Sequence, residues 1–461
     1  MVMAGLEQIK EGATKYPEKN TNYRKNIQTL AKYDIIFLIL SNKLRRRKDM
    51  SKAIKNQVYL TIFCAIVGAV AGSVIWAFLK VMSLGISFLW EWLPDKVDIP
   101  FYTLIVCTAG AAFIGVFRWK FGDYPEDLET VMGKVKMEKK YDYSNMLVLL
   151  LSAMFPLLLG SSVGPEAGLT GVIVGLCYWV GDNLSFARQN AREYSEAGAA
   201  VTLSVLFRSP LFGIFSVEEE NCDREIMKLP GTAKILIYSL AIAAGTGCYM
   251  ILSAVFGAGL SGIPSFPEME PDNGDYILLA VYILLGCILA KFYDICHSLT
   301  SQVASKLPDI LRETVGGLCL GTLGMCIPIL MFSGEESMGQ LISGYDKYMP
   351  LFLVAAAFLK VLLTNICIHS GLKGGHFFPV IFAGVCLGTA MAMLVFQNAE
   401  GHVVFAAATV TAALLGGIMK KPLAVTVLMF LCFPVKLFLW IFLAAAVGSA
   451  VFNRVKESDA E

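Results

Sequence analysis

Long apolar runs separated by short charged links dominate the chain. Runs long enough to enter a bilayer recur at about 57–83, 101–117, 145–160, 232–257, 276–296, 313–332, 349–368, 377–396 and 403–452. A membrane-spanning helix needs about 20 apolar residues, and several of these runs are shorter or are broken by glycine and proline. Irregular backbone at membrane depth is tolerated only where it is buried in protein or lines a cavity. The pattern therefore predicts an all-α polytopic membrane protein with broken and tilted helices. A transporter has use for such breaks; a single-helix anchor has none.

The polar positions suggest a topology. Residues 1–55 form a basic arm ending in KLRRRK at 43–48, a cluster that stays on the cytoplasmic side. The amphipathic patch YDIIFLIL at 33–40 suits either the membrane surface or packing on the protein. The links at 134–140, 182–196, 223–228 and 306–312 are basic or mixed and read as cytoplasmic, whereas 254–277 carries four carboxylates without Lys or Arg and reads as external. Both termini are expected inside. No signal peptide is expected, because the first apolar run follows a long polar stretch.

A repeat divides the chain. FRSPLFGIF at 207–215 aligns with IMKKPLAVTV at 418–427 through Pro210 and Pro422, and GPEAG at 164–168 aligns with GHFFP at 375–379, both at a separation of about 211 residues. The expected organisation is a basic arm over 1–55, a first membrane repeat over 56–257, a second over 276–452 and a short cytoplasmic tail over 453–461. Inverted repeats with interrupted helices place the substrate near the midplane, between the halves.

Composition narrows the function. Of 461 residues, 56% are hydrophobic and 16% charged, against about a quarter charged in soluble domains. The net charge of +1 argues against a nucleic-acid partner. The twelve cysteines include no Cys-x-x-Cys pair, so neither a zinc site nor a disulfide framework is expected, and nothing calls for a cofactor.

Three motifs carry candidate chemistry. In LLGSSVGPEAGLTG (158–171), Gly160, Gly164 and Pro165 interrupt an apolar run and a helix starts near Glu166. A helix N-terminus offers free N–H groups and about half a positive charge, which attracts an anion. Glu166 can occupy that anion site and leave it on protonation, which makes it a candidate gate; the bland alternative is a capping residue in an external loop. In SGLKGGHFFPVIFAG (370–384), glycines again lead into a helix, and the N–H groups of His376 and Phe377 would point at the same site. The His376 ring is a weaker candidate than the backbone. In RSPLFGIFSVEEENCDRE (208–225), a short apolar helix ends in Glu218, Glu219 and Glu220, which on pattern alone read as a solvated cluster and functionally as an inner proton acceptor.

Together these motifs resemble the chloride channel/transporter (CLC) family over about residues 57–450. GPEAG supplies Gly164 and Glu166 of the family's G-x-E-x-P, with Gly168 in place of the proline, and Gly375, Phe377 and Pro379 match G-x-F-x-P. The resemblance implies an inverted-repeat fold and a homodimer that moves a small inorganic anion, chloride first, in exchange for protons. It makes Glu166 the outer gate and Glu220 the internal proton glutamate. The anion site would be built from Gly164, Pro165, Glu166, Ala167, Gly375, His376, Phe377 and Phe378, with no metal. The family's G-S-G-I-P has its nearest counterpart in FGDYPE at 121–126, where Gly122 stands for the serine, and the tyrosine of the family's last helix has no counterpart. The implied member is of prokaryotic type, in the bacterial plasma membrane, without C-terminal regulatory domains. The alternatives are a passive chloride channel of the same fold, an exporter of another anion such as fluoride or nitrate, and, remotely, an intramembrane serine hydrolase using Ser162 of GSSVG. None of His297, His369, His376 or His402 sits in a motif that would make it the hydrolase base.

Overall fold

The computed structural model describes residues 58–59, 61–122, 124–126, 130–131, 143, 145–183, 191–207, 209–219, 232–257, 264–430 and 432–458. Two compact units are distinguished, Met1–Ile62 and Phe63–Glu461. The KLRRRK cluster, the amphipathic patch and Glu220 lie outside the described residues.

The described chain is helical. The elements are α1 (Thr61–Lys96), α2 (Tyr102–Phe121), α3 (Met146–Leu158), α4 (Glu166–Asn183), α5 (Ala191–Leu206), α6 (Pro210–Glu219), α7 (Thr232–Phe256), α8 (Asn273–Ala304), α9 (Asp309–Cys326), α10 (Glu335–Ser343), α11 (Pro350–His369), α12 (Phe377–Val395), α13 (Val403–Met419), α14 (Pro422–Met429) and α15 (Phe438–Ser458). Among the described residues, seven helices are long and apolar enough to cross a membrane. Their outward faces carry large apolar side chains, such as Ile62, Val70, Met250, Ile251, Val255, Ile277 and Leu284. A soluble monomer rarely leaves so many large apolar side chains uncovered, and helices of spanning length with such faces suit a lipid surround.

Local chemistry sets several boundaries. Pro210, Pro350 and Pro422 open α6, α11 and α14, where the missing N–H costs nothing. Asp272 and Asp275 form a reciprocal capping box at the start of α8. The 403–452 run, continuous in hydropathy, is three helices, because the Lys420–Pro422 and Pro434 breaks interrupt it.

The helices from α1 to α7 have counterparts about 210 residues later, from α8 to α15, with α10 as an additional short helix of the second series. Counterparts meet: α2 packs on α9, and α6 on α14, while within each half α3 lies on α4 and α4 on α5, as α11 lies on α12 and α12 on α13. Small residues permit the α2–α9 approach. A Cβ at Gly317 would come within 2.5 Å of the Cys107 carbonyl oxygen. The same interface holds a buried ion pair, in which Arg118 Nη1 donates to Glu313 Oε1, and Arg312 Nη2 reaches the same oxygen at 3.1 Å. The core lies around α12 and α13, whose residues are almost all buried.

Candidate functional site

The two glycine-led turns meet. Gly164 N–H donates to the Gly375 carbonyl at 2.7 Å and Gly375 N–H donates to the Gly164 carbonyl at 2.8 Å. These are equivalent positions of the two repeats, so the reciprocal pair marks a local two-fold relation. It brings the N-termini of α4 and α12 face to face. The α3–α4 turn is shaped by Gly160, whose φ of +74° suits glycine, and by the Ser161 N–H donating to the Pro156 carbonyl at 3.1 Å.

Between the helix ends sits Glu166. Its side chain is fully buried, and Oε1 accepts a hydrogen bond from the Phe377 N–H at 2.9 Å. A Cβ at either Gly164 or Gly375 would collide with this carboxyl group. The two glycines are thus required by space as well as by the turn. A carboxylate held by the N–H of the opposite helix's first residue lies in the positive field of the paired helix ends.

Gly164, Pro165, Glu166, Ala167, Gly375, Phe377 and Phe378 are brought together in this buried cradle. His376 is the N-cap of α12, and its ring lies against Phe377 and Tyr293, at centroid distances of 4.6 and 5.7 Å. Among the described contacts it is the Phe377 N–H, rather than the imidazole, that meets Glu166. Gly122 is placed elsewhere: it is exposed, has a φ of +106° and closes α2 by donating its N–H to the Arg118 carbonyl at 2.8 Å. No described contact joins it to the cradle. Gly168 lies in the first turn of α4 against Ala153 of α3, so the residue at the family's proline position serves close helix packing.

Three neighbours were not singled out by sequence. Phe207, at the end of α5, stacks on Phe378 (4.7 Å between centroids, 9° between planes) and meets Phe377 edge-on at 5.9 Å, giving the cradle an aromatic wall. Thr364 of α11 pairs with Ser162, Oγ to Oγ1 at 3.0 Å, so the partner of Ser162 is a threonine hydroxyl and not an imidazole. Lys360, also of α11, is fully buried one turn away. The sequence signal for Lys360 was a lone cation inside an apolar run, which is rare and functional by default.

The arrangement defines a multi-pass membrane transporter with an inverted repeat and helix N-termini converging on a buried carboxylate. The family model described as voltage gated chloride channel matches residues 110–453. The chain therefore belongs to the voltage gated chloride channel (CLC) family and is an integral membrane protein of CLC-type anion transport. Curated relatives named "Putative ion-transport protein YfeO" include one from Escherichia coli O17:K52:H18, 25% identical over 387 residues (78% of this chain, 84% of the relative), and one from Salmonella typhimurium, 26% identical over 381 residues (78% and 86%). The fold is shared with a slow cyanobacterial Cl⁻/H⁺ antiporter (TM-score 0.71, 20% identity, 85% of this chain and 94% of that one) and with a CLC-type fluoride/proton antiporter (TM-score 0.67, 19% identity, 86% and 95%).

Proposed function

We propose that the protein exchanges a small inorganic anion, chloride first, for protons. It works without a cofactor and without bond chemistry, as a homodimer in the bacterial plasma membrane with both termini cytoplasmic. The observation that carries this reading is the Glu166 carboxyl seated on the Phe377 N–H between two helix N-termini. An ionised carboxylate there competes with the anion for the same donors. Protonation removes its charge, weakens its hold on the N–H groups and lets the anion replace it, so anion and proton alternate at one place. Partial helix charges and N–H groups offset the anion's dehydration without trapping it as a full cation in contact would. Glu220, following α6, is the internal proton acceptor in this scheme.

The test is anion efflux from liposomes holding the purified protein, with external pH recorded. Chloride efflux able to drive protons uphill in the opposite direction supports exchange, and Glu166→Gln and Glu220→Gln should each abolish the proton movement. Chloride flow without proton movement in the wild type would make the protein a passive channel. A second reading, fluoride as the anion, comes from the fold shared with the fluoride/proton antiporter. Fluoride efflux outpacing chloride in the same liposomes would select it.

A further inference from the structure

Lys360 is fully buried in the middle of α11, and its described hydrogen bonds all go to main-chain carbonyls. Nζ donates to the carbonyls of Leu330 at 2.9 Å, Met331 at 3.2 Å and Phe332 at 2.7 Å, and it lies 5.3 Å from the centre of the Phe382 ring on α12. The three carbonyls belong to the segment between α9 and α10. That segment has a conformation that would not persist alone, for Phe332 has a φ of +57°, in the left-handed region that residues with a Cβ disfavour. It is held from the other side as well. The Phe332 N–H donates to the Gly160 carbonyl at 2.8 Å, and the ring meets Trp90 edge-on at 5.8 Å. Strained backbone of this kind survives where its surroundings over-determine it, and it gathers at functional sites.

The segment ends where the gate begins. Gly160 opens the turn that leads through Ser161, Val163 and Pro165 to Glu166. Those three residues and Phe332, Ser333 and Gly334 line one cavity of about 90 Å³. The helix bearing Lys360 reaches the same turn by a second route, since Thr364 Oγ1 donates to the Lys360 carbonyl at 2.8 Å and pairs with Ser162. A buried charge costs several kcal/mol unless fully paired, and here the pairing is made with the carbonyls of the one segment that adjoins the Gly160 turn.

We propose that Lys360 is a positioning residue for the gate: by clamping Leu330–Phe332 onto the Gly160 turn, it fixes the backbone from which Glu166 projects into the anion cradle. The proposal rests on the reading of Glu166 as a gate. Loss of the clamp leaves three buried carbonyls without their donor and lets the turn relax. The carboxyl then spends less time on the Phe377 N–H, and anions pass without a matching proton.

The test is the proton-to-anion ratio in liposomes for Lys360→Met, which keeps the length of the stem and removes the ammonium. The ratio should drop by about threefold or more, the change expected for a loss comparable to one hydrogen bond. Phe382→Leu, which removes only the ring beside the ammonium, should lower it less. A lysine that merely stabilises the fold predicts fewer active molecules, hence lower anion and proton rates with an unchanged ratio, and that result would overturn the proposal. If Lys360→Met does not yield folded protein, Phe382→Leu decides by the same criterion. If the wild type moves anions with no protons, the exchange reading has failed on its own. The clamp is then judged by anion leak, which Lys360→Met must raise when Glu166 is present and leave unchanged in a Glu166→Gln background; any other pattern overturns it.

Discussion

Replacing Glu166 by glutamine tests the competition between carboxylate and anion directly. The substitution keeps the shape and removes the charge. In the wild type the buried Oε1 accepts from Phe377 N–H at 2.9 Å, while Oε2 is enclosed without a hydrogen-bond partner. A hydrogen bond to a charged group contributes about 1.5–3 kcal/mol against about 0.5–1.5 for a neutral one, so the amide oxygen gives up about 1 kcal/mol. The amide nitrogen, placed where Oε2 has no hydrogen-bond partner, becomes a buried donor, and left unpaired it costs about 1–3 kcal/mol. The seated gate is thus weakened by about 2–4 kcal/mol, which is about 30- to 700-fold in its equilibrium against the empty cradle. Since apparent affinity is the intrinsic affinity scaled by the competent fraction, chloride binding should tighten by up to that factor, capped by how rarely the wild-type cradle is open. Isothermal titration of chloride into purified wild type and Glu166→Gln at one pH measures it. An unchanged affinity together with intact proton movement in the variant would refute the competition.

Three further outcomes are expected. Gly164→Ala puts a Cβ where the Glu166 carboxyl sits, so the carboxyl must move aside and the proton-to-anion ratio should fall in liposomes while the protein still purifies as a folded species. Arg118→Met leaves Glu313 buried with Arg312 as its remaining partner, and thermal unfolding should report a loss of about 3 kcal/mol, the low end for breaking a buried pair. Ser162→Ala gives up one hydroxyl pairing with Thr364, costing about 1 kcal/mol, while anion transport survives. Wild-type protein should stay unlabelled by serine-reactive probes, and labelling that is lost in Ser162→Ala would revive the hydrolase reading.

The sequence by itself determined the class of protein, because that information is local. Apolar runs of spanning length, their glycine and proline breaks, and the paired glycine-led motifs about 211 residues apart are properties of consecutive residues. They suffice for an inverted-repeat membrane fold and for Glu166 at a helix start. Hydropathy averages over a window, however, and so it absorbed Lys360 into an apolar helix and could not separate the three helices of the 403–452 run. What only the tertiary structure decided is which distant groups meet. The Gly164–Gly375 pairing, the Phe377 N–H on Glu166, the Phe207 stack on Phe378 and the Arg118–Glu313 pair each join residues well over a hundred positions apart. Such contacts are fixed by how whole helices pack, through steric fit and the pairing of buried polar groups. No short stretch of sequence encodes that outcome, so the motifs pointed to the cradle while the packing chose the groups that complete it.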